Sequence, residues 1–374
     1  MPGIYIHIPF CRRKCVYCDF YSVAQTGKTD DLLNGILLEA ARNKRFFSST
    51  PVSTLYIGGG SPGMLTAEQI SSFVNQLGEI YDLRWLQEFT VELNPEDAIP
   101  EYLETLRSSG VNRISIGIQS THNRHLLFLG RRHNSEIALQ SLKNTRNAGF
   151  SNISADIIFG IPDLSQNELA ESIAILTEAG LTHISAYLLT AEGNTLLVRR
   201  LREGKTRLPD EEICNRQYSL LCDTLRTYGY DHYEISNFCK PGYRSQHNSS
   251  YWDNSIYLGL GPSAHSYDGN KRYYNPPDLN KYLYSIPKNQ SVTVCENLEN
   301  SDKINEHIMT RLRTSDGLNL HEFENLFGKS EVAGLLENSK KFIQIGSVKN
   351  NRGIIIIPEP YWLISDSIIS ELFV

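Results

Sequence analysis

Residues 5–20 read Tyr-Ile-His-Ile-Pro-Phe-Cys-Arg-Arg-Lys-Cys-Val-Tyr-Cys-Asp-Phe, an apolar run followed at once by a loop that carries Cys11, Cys15 and Cys18. The spacing is Cys-x3-Cys-x2-Cys. Three thiols this close together on one loop cannot all be ordinary core residues, and thiolates are soft ligands. The loop is therefore a candidate site for a soft metal ion or an iron–sulfur cluster.

A fourth cysteine is missing from this loop, and Phe20 occupies the position where a further one would be expected. A structural zinc site uses four protein ligands, and iron–sulfur clusters are usually held by four thiolates. Three thiolates would leave one iron of a [4Fe–4S] cluster open to a small molecule. A zinc site completed by His7 and a set of three unrelated thiols are the alternatives that the spacing leaves open.

Composition and charge set limits on the class of protein. A chain of 374 residues suffices for two domains, or for one large domain with an appendage. The net charge of −6 gives no support for nucleic acid as the main partner. The odd number of cysteines, with no pair spacing outside the loop, argues against a secreted disulfide framework. With no signal-peptide pattern and no apolar run of membrane-spanning length, we expect a cytoplasmic protein.

Apolar strand-like segments alternate with amphipathic helical segments through the first half of the chain. Capping boxes begin two of the helices, at Thr66 and Ser165. Strands are predicted at residues 3–8, 52–57, 89–93, 114–118, 153–159 and 183–188. Helices are predicted at residues 30–47, after Thr66, after Pro100, at residues 134–148 and after Ser165. This order predicts an α/β fold of parallel strands with right-handed crossovers. Six units are too few for a complete eight-fold barrel, so we predict a partial (β/α)6 barrel.

The remainder of the chain changes character. We assign residues 1–200 to the barrel, residues 201–300 to an extension of the barrel with a Tyr- and His-rich segment, and residues 301–374 to a smaller C-terminal module. Residues 230–238 are predicted to form a strand that runs out of the barrel. The last module has a helix-plus-strand pattern that we interpret as α+β and winged-helix-like.

Ligands bind at the carboxyl ends of the strands in parallel sheets, and the unusual residues of this chain fall there. Gly59 and Gly60 would let the backbone approach a ligand closely, although a plain turn is the alternative. Asp156 lies inside an apolar strand, where a carboxylate without a partner is costly. His247 stands beside aromatic residues and is a candidate haem ligand or substrate-facing residue, with a structural histidine as the alternative. His7 and His265 are weaker candidates for the same role. Similar candidates are Ser61, Glu92, Gln119 and Arg131.

These motifs, taken in order, resemble the oxygen-independent coproporphyrinogen III oxidase family of radical S-adenosylmethionine (SAM) proteins. The resemblance covers nearly the whole chain and implies a partial (β/α)6 barrel. It implies one [4Fe–4S] cluster on Cys11, Cys15 and Cys18, with SAM on the open iron. The residues that it places around SAM are Tyr5, Tyr17, Gly59, Gly60, Ser61, Glu92, Gln119, Arg131 and Asp156.

Two departures from the oxidases bear on function. The oxidases have a further cysteine where this chain has Phe20, and a long extension before the tyrosine that here is Tyr5. Both departures are typical of the HemW branch, whose members are regarded as haem chaperones. The segment from Glu234 to Trp252, which contains His247, also resembles that branch.

We therefore predict a haem-binding protein with a cluster and SAM that delivers haem to membrane respiratory enzymes. The alternative is an enzyme that converts two propionates of coproporphyrinogen III to vinyl groups. A third hypothesis is an iron–sulfur protein without radical chemistry. The expected partners are haem or a porphyrin, a haem-protein acceptor, and a reductant such as flavodoxin or ferredoxin, with no nucleic acid.

Overall fold

Parallel strands form the centre of the molecule, as the alternating pattern predicts. The computed structural model describes residues 1–24, 27–48 and 50–374. The central strands are β1 (Gly3–Ile8), β2 (Thr54–Gly59), β3 (Glu88–Leu93), β4 (Arg113–Gln119), β5 (Asn152–Phe159) and β6 (His183–Leu188). They pair in sequence order, each parallel to the next. All six predicted strands are confirmed, with small shifts at their ends.

Helices connect the central strands. They are α1 (Thr29–Arg42), α2 (Ala67–Ile80), α3 (Pro100–Ser108), α4 (Asn123–Leu129), α5 (Ser135–Asn147) and α6 (Gln166–Glu178). The side chains of Thr66 and Ser165 accept hydrogen bonds from the third backbone amide of α2 and α6, and both capping boxes form as predicted. Helix α4 was not predicted. It has only 7 residues, and an apolar pattern that short does not identify a helix.

The two faces of the central strands have different chemistry. On β1, Ile4, Ile6 and Ile8 are fully buried in the hydrophobic core, and the same alternation puts Ile114, Ile116 and Ile118 of β4 there. Each such side chain contributes about 1.5–3 kcal/mol when buried. The residues between them have the opposite orientation, since successive side chains of a strand point to opposite faces. That second face carries polar groups: Tyr5, His7, Tyr56, Glu92, Ser115, Gln119, Asp156 and Tyr187.

The chain then extends the sheet at both edges. The next elements are α7 (Leu196–Arg202), α8 (Glu211–Thr227), β7 (Asp231–Glu234), β8 (Asn237–Cys239) and α9 (Gln246–Trp252). Strand β8 is antiparallel to β6 and pairs with β7. The prediction of one strand over residues 230–238 was therefore wrong in detail, because the chain turns back between Glu234 and Asn237 and forms two short strands.

The opposite edge is built from residues much later in the sequence. The elements are β9 (Tyr257–Leu260), β10 (His265–Tyr267), β11 (Lys271–Tyr274), α10 (Leu279–Ser285) and β12 (Val294–Asn297). Strand β9 is parallel to β1, and β10 to β12 continue the sheet with antiparallel pairs. In the described ranges the sheet thus has twelve strands, with β12 at one edge and β7 at the other.

The C-terminal module has the predicted helix-plus-strand composition. Its elements are α11 (Asn300–Leu312), β13 (Leu318–Asn319), α12 (Leu320–Phe327), α13 (Lys329–Gln344), β14 (Lys349–Asn351), β15 (Ile354–Ile356) and α14 (Ser365–Ser370). The three strands form a small antiparallel sheet in the order β13-β15-β14. A helix, a strand, two helices and a hairpin follow one another as in a winged helix. None of the helices in the described ranges has the length and apolarity that a bilayer-spanning helix needs.

Glu359 fastens this module to the edge of the large sheet. One oxygen of its carboxylate lies 2.7 Å from Nδ1 of His232 on β7, and the other pairs with Arg226 on α8. The His232 ring stacks on Phe238 and meets Trp362 of the module edge-on. A buried imidazole with this many contacts holds the two parts of the structure in one orientation.

Candidate functional site

A cavity of about 880 Å³ opens at the carboxyl ends of the central strands. This is the edge of the sheet where the sequence analysis expects ligands to bind. The structure brings all but one of the predicted site residues into its lining. Those residues are Tyr5, Cys11, Cys15, Tyr17, Cys18, Gly59, Gly60, Ser61, Glu92, Gln119, Arg131 and Asp156. The exception is His247.

The cysteine loop follows β1 directly and is closed by backbone hydrogen bonds. The amide of Cys11 donates to the carbonyl of Val23, and the amide of Val23 donates to the carbonyl of Pro9. The amide of Val16 donates to the carbonyl of Leu129, which anchors the middle of the loop to the end of α4. All three cysteines are half-buried and free of disulfides. The loop thus presents three thiols to the cavity on a backbone that is held at both ends.

His7 cannot complete a zinc site in this arrangement. Its Nδ1 lies 3.0 Å from the hydroxyl of Tyr5, and its Nε2 lies 3.0 Å from the carbonyl oxygen of Tyr21. Both ring nitrogens are therefore occupied by hydrogen bonds, and the side chain is 4% exposed. The donor set that faces the cavity is three thiols without the imidazole, which removes the main reason to read the loop as a zinc site.

Glycines let the β2 loop pass close beside the start of the cysteine loop. A Cβ on Gly60 would lie 2.7 Å from the carbonyl oxygen of Phe10, and one on Gly59 would lie 2.8 Å from the carbonyl oxygen of Ile8. Gly59 also has φ +113°, in the region that favours glycine. The amide of Gly60 donates to the carbonyl of Ile8 over 2.8 Å. These glycines are thus required by close backbone packing, not by a flexible turn.

Replacement of Gly60 with alanine tests this packing. The new Cβ would press on the backbone that leads into Cys11, so we expect the free energy of unfolding to fall by about 1–3 kcal/mol. We also expect less iron per chain after anaerobic reconstitution. The matched control is Gly78→Ala on α2, where the nearest atom to a Cβ is 3.9 Å away. That change should leave stability equal or raise it by about 0.5–1 kcal/mol. Equal stability and iron content in both variants would contradict the packing argument.

Two half-buried carboxyl groups, those of Glu92 and Asp156, line the cavity close to each other. The hydroxyl of Tyr56 donates to one oxygen of Glu92, and the amide of Gly59 donates to the other over 3.1 Å. Burial, with the negative charge of Asp156 nearby, raises the pKa of Glu92 to about 7. Burial also raises the pKa of Asp156 to about 6. Carboxyl groups perturbed in this way by a dry environment are characteristic of functional sites, and they favour a cationic ligand.

Arg131 supplies a buried cation between this pair and the cysteine loop. Its guanidinium donates to the side chain of Asn94 over 2.7 Å, to the carbonyl of Gly117 over 2.8 Å and to Cys15 Sγ over 3.5 Å. Its Nε is buried without a hydrogen-bond partner in the described structure. Gln119, at the end of β4, has φ +66° and follows a register shift in the pairing with β5. Such a backbone is costly for a residue other than glycine and is common at binding sites.

His247 lies at the opposite end of the strands from the cysteine loop. Its Nδ1 is 2.8 Å from the hydroxyl of Thr54, the first residue of β2, and its Nε2 is 3.0 Å from the hydroxyl of Tyr251. Its ring stacks on Tyr56, and the side chain is 1% exposed. Burial lowers its pKa to about 3. His247 therefore closes the floor beneath the cavity and, with both nitrogens engaged, offers none to a haem iron, so this geometry gives the haem-ligand prediction no support.

The comparisons with known proteins identify the family of this chain. Residues 5–176 match the model of the radical SAM superfamily, and residues 298–359 match that of the HemN C-terminal domain. The haem chaperone HemW of Lactococcus lactis is 37% identical over 323 residues, which cover 86% of this chain and 84% of that protein. This chain belongs to the HemW family. The HemW of Bacillus subtilis is 32% identical over 96% of this chain and 95% of its own length.

A solved structure shows the same fold as this HemW-family chain. Coproporphyrinogen III oxidase (HemN) from Escherichia coli superposes with a TM-score of 0.86, over 100% of this chain and 90% of that one. The two sequences are 21% identical, so the likeness shows the fold alone. The prediction of a partial barrel with a C-terminal module is confirmed by it.

Membership of the radical SAM superfamily implies a [4Fe–4S] cluster and SAM, and the residues present fit both. Three free thiols, those of Cys11, Cys15 and Cys18, line the cavity. The half-buried pair Glu92 and Asp156 suits the cationic parts of SAM, and Arg131 suits a carboxylate. Such a cluster, when bound and reduced, would supply an electron to SAM. The chain's own contribution is to hold the ligands, orient the bound molecule and exclude water.

Two residues at the HemW-family cavity were not predicted as site residues: Tyr56, which donates a hydrogen bond to Glu92, and Asn94, which lines the cavity. Tyr56 lies in the middle of an apolar strand, and its hydrogen bond to Glu92 depends on the pairing of β2 with β3. Asn94 comes two residues after Glu92, so its position after a strand was a usable signal. His265 lines the cavity only because β9 and β10 pack beside β1. No short-range pattern in the sequence reports that pairing.

Proposed function

We propose that this chain is a haem chaperone, which binds haem and passes it to respiratory haem proteins. The observation that carries the proposal is the extent of the likeness to HemW proteins, at 32–37% identity over most of the aligned chains. The relatives are haem chaperones by name. The absence of a further cysteine at Phe20 supports the same branch, since the oxidases that the sequence resembles have one there.

The cofactors of the proposed chaperone are one [4Fe–4S] cluster and SAM. Cys11, Cys15 and Cys18 hold the cluster, and SAM occupies the remaining iron. Gly59, Gly60 and Ser61 receive the amino acid part of SAM, while Glu92 takes its amine or a ribose hydroxyl. Tyr5, Tyr17, Gln119, Arg131 and Asp156 complete the wall of this site. Support comes from their common location in one cavity.

The partners follow from the charge of the rim. Arg12, Arg13 and Lys14 are exposed on the cysteine loop and form a basic patch beside the thiols. We propose that an acidic electron-transfer protein, such as a flavodoxin or ferredoxin, docks there in the haem-free protein. Haem acceptors would be membrane respiratory enzymes, which the chain would contact from the cytoplasmic side.

The barrel, its extension and the C-terminal module are proposed to divide at about residues 200 and 300, as the sequence pattern indicates.

An anaerobic haem titration of the reconstituted chain tests the proposal. We expect a saturable change in the Soret band with the wild-type protein. The competing function, oxidative decarboxylation of coproporphyrinogen III, is tested in parallel with a reductant, SAM and substrate. Its main support is the fold shared with HemN, and at 21% identity that likeness extends to the fold alone. No Soret change, or the formation of protoporphyrinogen at many turnovers per chain, would overturn the proposed function.

A further inference from the structure

His265 is an exposed imidazole in the wall of the cavity. It is the first residue of β10, which pairs with β9 beside β1. Its ring stacks on Tyr274, with centroids 5.5 Å apart and planes 24° from parallel. In the described ranges its ring nitrogens make neither a hydrogen bond nor an ion pair to protein. The stacking fixes the plane of the ring and leaves its nitrogens open to a ligand.

The other imidazoles near the cavity are not available. His7 also lines it, but the hydroxyl of Tyr5 and the carbonyl of Tyr21 occupy both of its nitrogens. His247 lies behind the floor, and Thr54 and Tyr251 occupy both of its nitrogens. Burial, helped by the positive charge of Arg272, lowers the pKa of His265. This shift favours the neutral imidazole, the form that ligates a metal.

The rest of this outer part of the cavity suits an apolar ring with acidic tails. Arg13 and Lys14 line it, are exposed, and have no ion-pair partner within the described residues. The neighbouring Arg12, in contrast, is paired with Asp97. Phe20, which follows the cysteine loop, also lines the cavity and is 69% exposed. Unpaired cations beside an exposed aromatic side chain match the propionates and the apolar faces of a haem.

The location separates this region from the proposed SAM site. Gly59, Glu92 and Asp156 belong to β2, β3 and β5, whereas His265 stands on the strands added beside β1. The cavity volume of about 880 Å³ is near the upper end of the range for ligand sites, about 300–1,000 Å³. The outer part of the cavity is defined as the wall formed by His265, Arg13, Lys14 and Phe20.

We propose that haem binds in the outer part of this cavity, with its iron ligated by His265 and its propionates paired with Arg13 and Lys14. The inference rests on the proposed haem-binding function and names the residues that would perform it. It assigns the exposed imidazole on β10 to the iron, and gives His247 a structural role in the floor.

The test compares anaerobic haem titrations of the reconstituted full chain and its variants, read by absorbance and by the low-spin electron paramagnetic resonance signal of ferric haem. His265→Ala should lose the histidine-ligated spectrum and bind haem at least about tenfold more weakly, and free imidazole should restore the spectrum. His265→Met should keep an axial ligand but with a different spectrum. His321→Ala, which removes an exposed imidazole on α12, is the matched control and should behave as wild type. A paired change, Arg13→Gln with Lys14→Gln, should weaken haem binding a few-fold without loss of the axial spectrum.

The outcomes separate the inference from the proposed function. Since the His265 side chain makes no hydrogen bond to the described protein, its variants should retain the cluster iron of wild type, measured on the reconstituted samples before haem is added. A wild-type spectrum in His265→Ala would overturn the inference and leave haem binding standing. Loss of the histidine-ligated haem spectrum in His321→Ala would also count against His265 as the ligand. So would failure of free imidazole to restore that spectrum in His265→Ala. A wild-type protein that binds no haem would overturn both.

Discussion

Replacement of any one of Cys11, Cys15 or Cys18 with serine should reduce the iron content of the reconstituted chain to background. The structure holds these three thiols on one closed loop and supplies no imidazole to replace a lost one, because both nitrogens of His7 are engaged. A serine hydroxyl stays protonated at neutral pH and is a poor substitute for a thiolate. Iron analysis and the visible charge-transfer absorbance of the anaerobic protein measure the effect.

The matched control is Cys295→Ser on β12, which removes an exposed thiol away from the cavity. It should leave iron and absorbance unchanged. Far-ultraviolet circular dichroism should be native in all four variants, since the loop cysteines are half-buried and outside the main core. A single loop variant that keeps the full cluster spectrum would show that its cysteine is not a ligand. Zinc in the wild-type protein, with no visible bands, would refute the cluster altogether.

The barrel was predictable because its signals are local. Each central strand is a short apolar run, and each following helix has its own capping residues, so periodicity and caps locate both. The added strands were not predictable in the same way. Strand β9 pairs with β1 across more than half of the chain, from Tyr257 to Gly3, and nothing in either segment specifies the partner. Pairing over such separations is decided by packing of the whole sheet.

The same difference between local and long-range signals applies to the residues of the site. The cysteine loop, Glu92 and Asp156 were recognisable because a polar residue in or after an apolar strand needs a reason to be there. The environment of His247 was not recognisable. Ser245 caps α9, and Glu88 accepts a hydrogen bond from the backbone amide of His247. Together these contacts orient the His247 ring toward Thr54. These contacts join residues far apart in the sequence, so the aromatic neighbours in sequence gave a misleading picture of its surroundings.

Replacement of Glu92 with glutamine should weaken SAM binding by about ten- to a hundredfold, the range that corresponds to loss of a hydrogen bond to a charged group. Glu92 is the half-buried carboxyl that accepts hydrogen bonds from both the Tyr56 hydroxyl and the Gly59 amide, and it also lines the cavity. Glutamine keeps the size and one acceptor but loses the charge that attracts the amine or a ribose hydroxyl of SAM. Equilibrium dialysis of the reconstituted protein with labelled SAM measures the change. Glu192→Gln, at the exposed rim of the same cavity, is the matched control and should bind as wild type.

The same carboxyl should make SAM binding depend on pH. Because the pKa of Glu92 is about 7, its carboxyl becomes protonated as the pH falls below about 7. The protonated carboxyl no longer forms an ion pair with a cationic group. We therefore expect the affinity of the wild-type protein for SAM to fall several-fold between about pH 8 and about pH 6, and Glu92→Gln to lose most of this dependence.

The stability of the SAM-free protein should change in the opposite sense. The folded chain keeps a proton on Glu92 that the unfolded chain, with an ordinary pKa of 4.5, has lost, so the free energy of unfolding falls as pH rises between those two values. A pH profile of SAM affinity that is the same in wild type and Glu92→Gln would show that the titrating group is another one, with Asp156 the first to examine.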